Sequence, residues 1–91
     1  MTNIIVYTTP ETLEHKKELY DSYWSLSIKP KKRLEPYKSK IYFATKGFIM
    51  GKFDICKILG QDIFFEDWKP LKKPVPQGQF QGFKYLEKNL G

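Results

Sequence analysis

The residues best equipped for chemistry are cations set around an aromatic ring. Lys29, Lys31, Lys32, Arg33, Lys38 and Lys40 surround Tyr37, and Glu35 is the only carboxylate between Lys29 and Lys46. A phosphate backbone asks for this arrangement: several cations on one adaptable segment, each contact releasing counterions. Arg33 adds a planar fork for bidentate phosphate contacts, which lysine lacks. Tyr37 adds a face on which a base can stack. The competing reading is a solvated loop that keeps the chain soluble. The local density of positive charge favours binding.

Three further sets extend this surface. Lys46 sits at a glycine turn. Lys72 and Lys73, with Lys69, lie between prolines on an extended rail that either continues the basic face or guards a strand edge. Trp68, beside Glu66-Asp67 and Lys69-Pro70, is a second stacking candidate, whereas Trp24 reads as core.

Catalytic and metal chemistry find little support. Adjacent Glu66 and Asp67 point to opposite sides of an extended chain, so they and Asp54 read as surface charge. The lone Cys56 cannot form an intramolecular disulfide, and with the lone His15 it makes no ordinary zinc site. Cys56 reads as a small buried apolar group, and His15 as exposed among glutamates and lysines. The glycines are too scattered to cradle a phosphate. No cofactor is expected.

The elements that must position these residues follow from the pattern of the chain. The 91 residues allow one domain, and such a chain buries only about 60 to 65% of its unfolded surface. Seven Phe, six Tyr and two Trp supply an efficient core. Asn3–Thr8 is a β-rich run. Thr9-Pro10-Glu11 reads as an N-cap, first-position proline and first-turn acid. The spacing of Leu13, Lys17, Tyr20 and Trp24 predicts a helix from Pro10 to Tyr23, with Lys17 and Asp21 paired across one turn. Segment 24–28 is extended. Lys29 to Lys40 is a long basic loop, a type that often carries function. Ile41 to Ile58 reads as two strands around Gly47, the second placing Gly51, Phe53 and Ile55 on one face. A strand starts at Ile63-Phe64-Phe65. Lys72 to Pro76 cannot pair as a central strand. Gln77 to Gly82 is a polar loop, Phe83 to Leu86 the last strand, and the tail after Glu87 frays. The expected fold is α+β, with five or six short strands curled into a small barrel that hides its edges.

This order of elements resembles the PUA-like superfamily, in particular its ASCH and EVE type of small domain. The resemblance rests on Ser25-Leu26-Ser27-Ile28-Lys29-Pro30, on the strand Ile41-Tyr42-Phe43-Ala44, on Gly47 to Ile55 and on Gly82-Phe83-Lys84-Tyr85, spanning residues 22 to 86. It implies a PUA-like pseudo-barrel that binds RNA or a modified base in a cleft between barrel and helix, with the 41–58 hairpin as its closing wall. Some ASCH-type members are hydrolases or nucleases. The run Lys31-Lys32-Arg33-Leu34-Glu35 departs from their arrangement, so binding is what the resemblance implies here.

The net charge of +6 suits nucleic acid, an anionic surface or an acidic protein partner. No apolar run is long enough to span a bilayer, and a fold without disulfides suits the reducing cytoplasm. The expectation is a cytoplasmic, non-catalytic module for RNA or single-stranded nucleic acid, monomeric or weakly self-associating. A module for an acidic protein partner, an ASCH-type hydrolase and a barrel for a small anionic metabolite are the alternatives.

Overall fold

Residues 41–44 lack polar–apolar alternation because both of their faces are covered. In the computed structural model, which describes residues 2–18, 22–26 and 28–90, Ile41, Tyr42, Phe43 and Ala44 are all fully buried. They belong to β3 (Lys40–Thr45), which a two-residue turn joins to β4 (Phe48–Leu59). Lys46 and Gly47 in that turn have positive φ, 51° and 88°. Such a turn matches the right-handed twist of the strands it joins. Glycine adopts this backbone freely, whereas Lys46 holds it under strain.

The other elements are β1 (Asn3–Tyr7), α1 (Pro10–Glu18), β2 (Ser22–Ser25), β5 (Asp62–Pro76) and β6 (Phe83–Leu86). Among the described residues the strands form one sheet in the order β2-β5-β4-β3-β1-β6. Its pairs are antiparallel except β1 with β3, which run parallel. The hairpin is therefore the middle of the sheet, not a closing wall: β4 covers one edge of β3 and β1 the other.

The sheet curls into a half-barrel. Ile4, Val6, Ile41, Phe43, Phe53, Ile55, Ile63 and Phe65 meet on its concave side. Trp24 of β2 and Phe83 and Tyr85 of β6 pack on that same cluster, although they come from opposite ends of the sheet. Only a strongly twisted and coiled sheet brings its two ends to one core. Among the described residues β2 and β6 form no pairing, so the expected edge-free barrel stays open. Helix α1 packs on the concave side through Leu13. Its start follows the sequence reading, with the Thr12 N–H donating to Thr9 Oγ1 at 3.2 Å. Its predicted length does not hold. Ser22–Ser25 pairs with β5, so Trp24 reaches the core from a strand, edge-on to Phe43 with centroids 5.4 Å apart. Tyr20 and Asp21, and with them the expected Lys17–Asp21 pair, lie outside the described residues; Lys17 pairs with Glu14 at 2.7 Å.

A second cluster on the convex side contains Ile5, Tyr42, Ala44, Ile49 and Leu71, covered by Tyr7, Val75, Phe80, Leu86 and Leu90. The C-terminal tail is docked, not frayed. The Leu90 N–H donates to Tyr42 Oη at 2.9 Å, and Asn3 Nδ2 donates to the Lys88 carbonyl at 2.9 Å.

Strand β5 accommodates its prolines because β2 borders it only over Asp62–Phe65, leaving the rest at the sheet edge. Its register with β4 shifts three times. Pro70 faces Gly51 while Val75 faces Ile49, so residues 71–74 bulge opposite Met50. A second bulge carries Asp67 at φ 62°, and both Glu66 and Asp67 are exposed, in keeping with their reading as surface charge. At the third shift Cys56 is half-buried rather than buried. Among the described residues no helix is long and apolar enough to cross a membrane, and no cluster of His, Cys, Asp and Glu could hold a metal ion.

Candidate nucleic-acid interface

The basic segment 29–39 has no regular secondary structure, yet three sets of contacts pin it to the half-barrel. First, Tyr85 Oη on β6 accepts the backbone N–H groups of Lys31 and Lys32 at 2.7 and 3.2 Å. Second, Leu34 is buried in the concave core. Third, the turn 35–39 is laced to β4. The Tyr37 N–H donates to the Ile55 carbonyl at 2.6 Å, and the Ile55 N–H donates to the Ser39 carbonyl at 3.1 Å. Within that turn the Glu35 N–H donates to Ser39 Oγ at 2.9 Å. A loop fixed in this way loses little conformational entropy on meeting a ligand.

The fixed backbone points its side chains outward. Lys29, Lys31, Lys32, Arg33 and Lys38 are all exposed. Their carboxylate neighbours are distant: Arg33 Nε stands 3.8 Å from Glu35, and Lys32 Nζ 3.5 Å from Glu87. Exposed pairs of this length contribute little, so the cations keep most of their charge for a ligand. Lys29, Lys32 and Arg33, with Leu34, Ile58 and Gly60, line a small open cavity of about 170 Å³. Tyr37 is 71% exposed and adopts a left-handed backbone, φ 67°. A bulky residue is rarely held so, and such strain gathers at binding sites. Lys57, exposed on β4 over the Phe64 ring at 5.7 Å, extends the positive surface at this end.

The remaining expected residues lie elsewhere. Lys40 is half-buried in an ion pair with Asp54 at 2.6 Å, and Lys69 approaches the other oxygen of that carboxylate at 3.5 Å. Burial raises the Asp54 carboxyl, but the hydrogen bond and charge of Lys40, then those of Lys69, outweigh it and leave the group below its ordinary value. Lys72 and Lys73 are exposed on the bulge opposite Met50, about 16 Å along β4 from Ile55. Lys46 occupies the β3–β4 turn, at the far end of β4 from the loop. Trp68 is half-buried, its ring 5.0 Å from that of Phe53 and lying over Gly51, with the Lys17 ammonium 5.1 Å from its centroid. It is not stacked beside the loop.

Sequence reasoning missed Tyr85, the anchor of the loop, and Lys57. Nothing local marks either, since Tyr85 is 54 residues from Lys31. Comparison with protein-family models, curated proteins and solved structures finds no match to this chain.

Proposed function

We propose that the protein binds RNA or single-stranded nucleic acid, without catalysis, through segment 29–38. Lys29, Lys31, Lys32, Arg33 and Lys38 contact phosphates and Tyr37 stacks on a base. The observation that carries this reading is Tyr37: a largely exposed ring, held on a strained left-handed turn that β4 clamps, among cations with weak partners. An exposed aromatic on a preordered cationic loop is the basic device of single-strand recognition. Lys57 extends the phosphate track, whereas Lys40 acts in the scaffold. Trp68, Lys46, Lys72 and Lys73 stand apart from this surface.

The test is a fluorescence-anisotropy titration of a single-stranded RNA at two salt concentrations. Binding should weaken steeply with salt and be lost in the Lys31→Ala/Lys32→Ala/Arg33→Ala triple variant. No binding at low salt, or full binding by that variant, overturns the assignment. Binding of acidic proteins that survives nuclease treatment, in place of RNA binding, would support a protein partner.

A further inference from the structure

The convex side of the sheet is covered unevenly. Around Tyr42 of β3 and Ile5 of β1 it lies under Phe80, Leu86 and Leu90. At the β2–β5–β4 end it presents an aromatic pair to solvent. Neighbouring residues on a strand point to opposite faces. Trp24, Ile63 and Phe65 face the concave core, so Tyr23 and Phe64 face outward. The two are directly opposite in the β2–β5 ladder, with ring centroids 5.6 Å apart and planes 32° from parallel. Tyr23 is 49% exposed and Phe64 half-buried. A cation stands over each ring: Lys16 Nζ is 5.1 Å from the Tyr23 centroid, and Lys57 Nζ 5.7 Å from that of Phe64. The pair also lies close to the basic segment. Tyr37 and Ser39 bond to β4 at Ile55, and Lys57 of β4 is the ladder partner of Phe64. From the segment across β4 and β5 to β2 is three strand spacings, about 14 Å.

We infer that a nucleic-acid strand held by segment 29–38 continues across the convex face and stacks a base on the Tyr23–Phe64 pair, its phosphates passing Lys57. This rests on the reading of that segment as a nucleic-acid interface. Stacking of a base on an aromatic ring is stronger than an exposed cation–π contact. A base therefore displaces the exposed Lys57 ammonium from Phe64, and the freed cation meets the adjoining phosphate. Lys16 stays in place, because its Nζ also donates to the Tyr23 carbonyl at 2.8 Å. Asp62 and Glu66, two residues to either side of Phe64, repel phosphates and confine the strand to the line between Lys57 and Lys16. The occupant follows from the combination of rings and cations. An acidic peptide would use the lysines and leave the rings bare, and a purely apolar partner would bury the Lys57 charge unpaired.

The probe is a single-stranded RNA of about eight nucleotides, a length within the usual site size of a single-strand-binding fold, compared with an abasic strand of equal length. The RNA should move the Tyr23 and Phe64 ring protons upfield in NMR spectra of the parent protein, and the abasic strand should not. Tyr23→Ala and Phe64→Leu should each weaken RNA binding about tenfold without changing its salt dependence. Lys57→Ala should instead lower the salt slope by about one. Tyr23→Ala removes an exposed ring and should leave the unfolding midpoint near the parent's. If the RNA binds and the Lys31→Ala/Lys32→Ala/Arg33→Ala variant loses it, but the ring signals do not move or Tyr23→Ala binds fully, this inference falls and the reading of the segment stands. Equal ring shifts with the abasic strand also overturn it. Full affinity and persistent ring shifts in the triple variant would remove the segment and keep the ring pair. No binding by the parent at low salt overturns both.

Discussion

The phenol oxygen of Tyr85, on the last strand, accepts the backbone N–H of Lys31 at 2.7 Å and that of Lys32 at 3.2 Å. One hydroxyl of β6 thus holds the basic segment against the half-barrel. Tyr85→Phe keeps the ring in the core but removes this acceptor. It should cost about 1 kcal/mol, speed amide exchange at Lys31 and Lys32, and weaken RNA binding by disordering the loop. Unchanged exchange at both amides would show that the hydroxyl does not hold the loop.

Tyr37 should show stability and binding moving in opposite directions. Its left-handed backbone, φ 67°, costs an L-residue about 1 to 2 kcal/mol, and glycine gives back part of that relief through its freer unfolded chain. Tyr37→Gly should therefore be as stable as the parent or up to about 1 kcal/mol more stable. It should bind single-stranded RNA about tenfold more weakly through the lost stacking surface. Urea denaturation and anisotropy titration on the same preparation check both.

Gly51 has no room for a side chain. A methyl group there would stand 2.5 Å from the Trp68 ring and 2.7 Å from the Lys69 carbonyl oxygen. The carbonyl belongs to the paired backbone and cannot turn aside. Gly51→Ala should lower stability by about 1 to 3 kcal/mol, the usual cost of overpacking, and change the Trp68 fluorescence of the native state. A denaturation midpoint equal to the parent's would refute the close contact.

Thr45 gives the reverse expectation. Its buried hydroxyl has no partner, so folding removes it from water without replacing its hydrogen bond. Thr45→Val keeps the shape and should raise stability by about 1 kcal/mol, read as a higher unfolding midpoint in the unliganded protein. A lower midpoint would mean that the hydroxyl is satisfied in solution.

Asp54 sets an acid limit. Its folded pKa is lowered despite burial, because Lys40 and Lys69 hold the charged form. A depressed carboxylate contributes stability above its unfolded pKa, near 3.9. That contribution is lost as pH falls from there through the lower folded value. Asp54→Asn should reduce stability at neutral pH and flatten the stability–pH curve below about pH 4. Parallel curves for parent and variant across that range would exclude this role.

Much of the fold is legible in the chain because local rules suffice for it. Thr9-Pro10 starts a helix, Gly47 marks a hairpin turn, and the alternation of Phe83 to Leu86 makes a strand whatever lies around it. Trp24 shows where such rules stop. Its spacing from Leu13 and Lys17 fits a helical stripe, but pairing of residues 22–25 with residues 62–65 places it on a strand, since a long-range ladder outweighs weak local propensity. The position of the second tryptophan is hidden for a related reason. The bulge at Asp67 and the bare backbone of Gly51 let Trp68 lie on β4 beside Phe53, and neither feature is visible in the residues flanking it.

The candidate site divides in the same way. Composition and spacing alone determined a basic, aromatic-bearing loop, because Lys29 to Lys38 are near neighbours in the chain and share one segment however it folds. Only the tertiary structure decided which cations lie together. It placed Lys40 in the ion pair with Asp54, sent Lys46 to the other end of β4, and left Lys72 and Lys73 on the edge bulge. It also supplied the anchor Tyr85 and the orphaned hydroxyl of Thr45. The physical reason is that charge and propensity belong to single residues, whereas burial, pairing and hydrogen-bond satisfaction exist only between groups that folding brings together.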